Sequence, residues 1–153
     1  MKIPPEPEHF RELCEKIGLA LMLSQKVQFS LAHYFAVYHI AKCNWSSVQA
    51  KESIRRHLSK PMGAVVSDTE RFAPLESAVA QRVQHFKRLR NWLAHAFDEE
   101  ATRYLSQDER FLDYIAKMDE ISSKAYELML ELDAIGEKMI PVRRFDTGGG
   151  SGV

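Results

Sequence analysis

Between Glu8 and Cys43 there is no proline, and apolar side chains return at Phe10, Leu13, Ile17, Leu21, Val27, Leu31, Tyr34, Phe35, Tyr38 and Ile40. Most of these positions lie three or four apart, the repeat of one helical face, whereas a half-buried strand needs alternation. The stretch predicts a single long helix, with Gly18 the place where it could bend or break. At 1.5 Å per residue it would reach roughly 50 Å, more than so small a globule can cover. The last helix is of similar length, so either a helix bends back at Gly18 or Gly136, or a second copy of the chain covers the overhang.

Beyond Cys43-Asn44-Trp45 the pattern restarts. Ser46 and Gln49 have capping-box spacing, in which each side chain satisfies an amide of the new first turn, and a short helix is expected to about Leu58. Lys60-Pro61-Met62-Gly63 ends it. Ser67 and Glu70 offer a second box before Phe72, Leu75, Val79, Val83, Phe86, Leu89 and Leu93, with Pro74 tolerated only in the first turn. Ser106 and Glu109 offer a third, leading into Phe111, Ile115, Met118, Ala125, Leu128, Leu132, Ile135 and Met139, and Pro141 stops that helix. No strand-like alternation is sustained anywhere. The expected fold is all-α: an antiparallel four-helix bundle with short extra helices, one domain over residues 1–141 and a flexible glycine-rich tail over 142–153.

The chain has 153 residues, and its 21 Lys plus Arg balance 21 Asp plus Glu. Bulk electrostatics therefore cannot hold it on nucleic acid or an anionic membrane, so any such binding needs a local patch. The apolar fraction of 45% excludes an intrinsically disordered chain. Cys14 and Cys43 are too far apart for a zinc knuckle or a redox pair, and no apolar run approaches a membrane span or a secretory leader. The expected setting is the reducing cytoplasm, away from membranes.

Most signatures of chemistry are missing. There is no Gly-rich phosphate loop and no His-Glu-x-x-His, and no two of the six histidines have the three- or four-residue spacing of helical metal ligands. No metal and no cofactor are expected. Charge is segregated, however. From Ser77 to Phe97 there is no acid, while Arg82, Lys87, Arg88, Arg90, His85 and His95 are present, and twelve acids follow between Asp98 and Glu137. Such a stripe either pairs with acids of a neighbouring helix or binds phosphate.

Within it lies Arg88-Leu89-Arg90-Asn91-Trp92-Leu93-Ala94-His95. Arg followed five positions later by His is expected by chance about 0.4 times in this composition, and about 0.006 times once Asn must follow the Arg. The segment resembles the mark of the HEPN superfamily (higher eukaryote and prokaryote nucleotide-binding proteins): Arg, a polar residue, three to five others, then His. The resemblance spans roughly Leu19 to Met139, with a long first helix, a short helix, the motif at the end of the third helix and a long acidic helix after it. It implies that Arg90, Asn91 and His95 form the site; the basic residues Arg82, Lys87 and Arg88 of the same helix are expected to contact RNA phosphate, and Arg88 also fits a looser form of the motif. It also implies a homodimer with the site at its interface, RNA as ligand, and an antitoxin or other protein partner. Many toxin members carry Tyr two places after the His, where a partner antitoxin attaches nucleotide; this chain has Phe97.

These residue types suit metal-independent RNA cleavage, and the resemblance implies an endoribonuclease of the toxin or phage-defence kind. Imidazole titrates near pH 6.5 and can move the 2′-hydroxyl proton, and guanidinium clamps phosphate while staying charged. Asn91 and His95 share a helical face, but Arg90 and His95 lie about 140° apart on an ideal helix. Either the helix ends before His95 or a second copy completes the site. Two other readings of the same residues are a non-catalytic module binding RNA, nucleotide or a protein, and a purely structural helical subunit.

Overall fold

The computed structural model describes residues 7–104 and 108–140. Among these residues every regular element is helical and no strand occurs, as the apolar spacing requires. Helix α1 spans Pro7–Cys43, α2 Ser47–Leu58, α3 Met62–Phe72 and α4 Ser77–Asn91. A wide π turn, Trp92–Ala96, carries the chain from α4 into α5, Phe97–Tyr104, and α6 spans Asp108–Met139.

Helix α1 runs through Gly18 without a break for 37 residues, about 55 Å at the α-helical rise. A methyl group added at Gly18 would meet nothing within 4 Å, and the same holds at Gly136 inside α6. The helix stops at Asn44, whose φ of 57° lies in the left-handed region that asparagine tolerates. The Trp45 N–H then donates back to the His39 carbonyl at 3.2 Å. Helix α2 opens with the expected capping box: Ser46 Oγ accepts from the Gln49 N–H at 3.2 Å, and Gln49 Oε1 accepts from the Ser46 N–H at 2.9 Å.

The region from Lys60 to Glu76 departs from expectation. Ser67 caps nothing, because it lies inside α3, whose N-cap position is Pro61, six residues earlier. Pro61 has no N–H to satisfy, and its carbonyl accepts from Ala64 and Val65 at 3.0 and 3.3 Å. Met62, Val65, Val66 and Thr69, at the spacing of one helical face, are all buried. Burial of that face outweighs the missing side-chain cap. Pro74 lies in the link between α3 and α4 rather than in a first helical turn. The expected third helix is thus divided in two. Ser106, Pro141 and the expected tail lie outside the described residues.

By packing, the described residues fall into two compact units, one within Met1–Val27 and Glu76–Leu128, the other within Gln28–Leu75 and Met129–Val153. The core of the first takes Leu13, Ala20 and Val27 from α1, Val83, Phe86 and Leu89 from α4, and Met118, Ile121 and Ala125 from α6. The core of the second takes Leu31, Tyr34 and Val37 from α1, Met62, Val65 and Val66 from α3, and Leu132 from α6. In the second unit the Tyr34 hydroxyl donates to the carbonyls of Ala73 and Pro74 at 2.9 and 3.2 Å. Burial, with the neighbouring Tyr38 phenol adding to it, pushes the Tyr34 phenol up to about 12.

Candidate functional site

Helix α4 turns Val79, Val83, Phe86 and Leu89 into the core of the first unit, and this fixes which basic residues face outward. Arg82 and Arg88 are exposed; Lys87 and Arg90 are half-buried. His85 is engaged by α6, where Lys124 Nζ donates to its Nε2 at 2.9 Å while lying 3.3 Å from Glu120. At His85, then, the group that meets the basic helix is a lysine.

At the end of α4 the helix neither stops nor continues unchanged. The Phe97 N–H donates to the Trp92 carbonyl five residues earlier, and the segment between is a π turn. A π turn holds one residue more than an α turn, so residues five apart across it approach the relation that residues four apart have elsewhere. The turn falls across Arg90-Asn91-x-x-x-His95 and reduces the angular separation that an ideal helix would impose on Arg90 and His95. Neither alternative drawn from the sequence, a helix ending before His95 or a second copy completing the site, included a widened turn.

An aromatic cluster brackets this turn. Trp92 meets Phe97 with ring centroids 5.5 Å apart, Phe97 meets Tyr114 edge-on at 5.2 Å, and Lys117 Nζ lies 5.4 Å from the centre of the Trp92 ring. With Leu93 and Phe97 buried on the inner side, His95 is exposed and Asn91 half-buried. Arg90, Asn91 and His95 make no hydrogen bond or ion pair with one another among the described residues. The first turn of α5 then carries Asp98, Glu99 and Glu100, so the sign of the surface charge reverses within a few residues of His95. No group of three or more His, Cys, Asp or Glu side chains among the described residues is placed to hold a metal ion, and no described helix is long and apolar enough to cross a membrane.

The second unit holds a polar cluster that sequence spacing did not indicate. His57, at the end of α2, has its Nε2 3.0 Å from Asp68 Oδ2 on α3, and Lys60 Nζ lies 3.2 Å from the same oxygen. Gln28 Nε2 of α1 donates to the carbonyls of His57 and Lys60 at 3.0 and 2.7 Å. Burial favours the neutral His57 ring and holds it below the usual histidine range, although Asp68 pulls the other way. Burial pushes Asp68 up, but His57 and Lys60 outweigh it and hold this carboxyl below its ordinary value. Eleven residues separate His57 from Asp68, on different helices, so only tertiary structure brings them together.

No family model matches the chain, and comparison with curated proteins and with solved structures gives no significant match.

Proposed function

We propose that the chain is a HEPN-like endoribonuclease of the toxin or phage-defence type, acting in the cytoplasm as a homodimer and without a metal ion. The observation that carries this reading is the π turn spanning Arg90-Asn91-x-x-x-His95, which displays an exposed imidazole at the end of a helix with no acidic residue. In the proposed step a His95 imidazole removes the ribose 2′-hydroxyl proton and the 2′-oxygen attacks phosphorus. The 5′-oxygen leaves with a proton from a protonated imidazole, giving a 2′,3′-cyclic phosphate and a 5′-hydroxyl. Proton transfer of this kind contributes about 10²–10⁴ in rate. Arg90 holds the non-bridging oxygens throughout, and Arg82, Lys87 and Arg88 contact flanking phosphates. The second copy supplies the other imidazole. Leu19, Met22 and Phe29 are exposed on α1, and Leu112, Tyr126 and Leu130 on α6, which gives a second copy apolar surface to cover.

A second reading is favoured by one feature: no hydrogen-bonding group orients His95 among the described residues, whereas a general base is ordinarily held by one. In that reading the same basic helix is a non-catalytic module for RNA, nucleotide or a protein partner such as an antitoxin. Incubating RNA with the purified protein in EDTA, beside His95→Ala prepared in parallel, separates the two. Cyclic-phosphate ends from wild type alone support the enzyme; binding without cutting supports the module. Light scattering at a mass near 17.6 kDa would overturn the homodimer.

A further inference from the structure

We propose that His57 is an acid-sensitive latch: its neutral ring ties α2 to α3 through Asp68, and a second proton on that ring opens the α2–α3 corner. The geometry is one-sided. The Asp68 carboxylate can only accept, so His57 Nε2 carries the hydrogen and a neutral ring keeps its lone pair at Nδ1. Nδ1 is buried and has no hydrogen-bond partner. Ser53 Oγ, one turn earlier on the same helical face, is also buried without a partner, so the two are not bonded to each other. Protonation would therefore create a cation, 4% exposed, whose new N–H finds no acceptor.

The surroundings bias the ring the same way. Arg56 on α2 and Lys60 just beyond it oppose a positive ring, and among the described residues Asp68 on α3 is the carboxylate favouring it. From α1 comes Phe35, edge-on to His57 with centroids 4.5 Å apart, and His39 packs at 4.3 Å on Phe35. His57 is also where three helices meet, because Gln28 holds its carbonyl. Losing the Asp68 bond therefore loosens the short Ser59–Pro61 link as well as one side chain. The closed form binds fewer protons than the open form, whose histidine has its ordinary value. The latch is fully closed above about pH 6.5 and weakens as pH falls from there through the lower value of the closed form.

The test uses the whole protein. Histidine ring resonances are titrated from pH 7.5 to 5, and amide exchange is followed over Leu58–Val66 with the intrinsic chemical rate divided out. In wild type the opening equilibrium should rise by up to about tenfold for each pH unit in the window. His57→Gln keeps a side-chain N–H for Asp68 but cannot titrate, and its exchange should be flat. Asp68→Asn removes the charge that favours the ring proton, so His57 should titrate at lower pH than in wild type. If His57→Gln fails to fold, the wild-type and Asp68→Asn titrations decide the matter alone. A His57 that titrates at or above its ordinary value, corner exchange independent of pH in wild type, or equal pH dependence in His57→Gln would each overturn the latch.

Discussion

Phe97 donates its backbone N–H to the carbonyl of Trp92, one residue beyond the reach of an α-helical bond. The two side chains pack against each other at 5.5 Å, so the widened turn is held on its backbone and on its surface. Since His95 lies between them, the bond sets how the imidazole stands relative to Arg90.

Two single-residue deletions distinguish this geometry from a merely helical motif. Each returns the turn to α form and restores the register downstream. Deleting Ala94 leaves Arg90 and His95 four apart on one face, whereas deleting Ala96 leaves them five apart and about 140° away from each other. Both variants should keep their far-ultraviolet circular dichroism. RNA binding and cutting should survive the first deletion and fall at least tenfold in the second; equal behaviour would show that the turn does not set the site.

Within the motif, His95→Ala should lower cutting by about 10²–10⁴, and Arg90→Ala nearly as much. Arg88→Ala should instead weaken RNA binding and reduce the slope of log affinity against log salt by about 1, as expected for one phosphate contact outside the reacting centre. Filter binding at several salt concentrations, with cleavage measured on the same preparations, checks both.

Alkaline titration should find one tyrosine that resists ionisation until about pH 12, and Tyr34→Phe should remove it. The sign is fixed by the raised value. The unfolded phenol releases its proton near pH 10 while the folded one keeps it, so this stabilisation is complete below pH 10 and is lost as pH rises towards 12. Tyrosinate absorbance, followed beside denaturant midpoints, measures both halves.

At Gly18 the helix is intact and a Cβ has open space. Gly18→Ala should stabilise the protein by about 0.5–1 kcal/mol through the lost backbone freedom of glycine in the unfolded chain. A thermal midpoint raised by roughly 1–4 °C is the expected reading.

What the sequence disclosed follows from how local each signal is. The helical class, the length of α1 and the Ser46–Gln49 cap depend on residues a turn or two apart, and all three are found. The start of α3 was misplaced because its decisive term is burial of Met62, Val65 and Val66, which outweighs a well-spaced but unused Ser67. The π turn was illegible for another reason: one extra residue shifts periodicity too little to see among Leu89, Leu93 and Phe97. His57 and Asp68 carry no spacing signal at all. At the motif, residue identities marked the place, while the orientation of Arg90 and His95 was visible only in the folded backbone.

Neither compact unit is continuous in sequence, and each takes part of α6. During synthesis, therefore, neither can close before α6 has been made. At roughly 5–20 residues per second, α1 spends several seconds as an exposed, largely apolar rod before its last partner emerges from the ribosome. Chaperone demand and aggregation should thus depend on translation speed through Asp108–Met139, far from the motif, and synonymous codons there can change yield without altering a single contact in the finished protein.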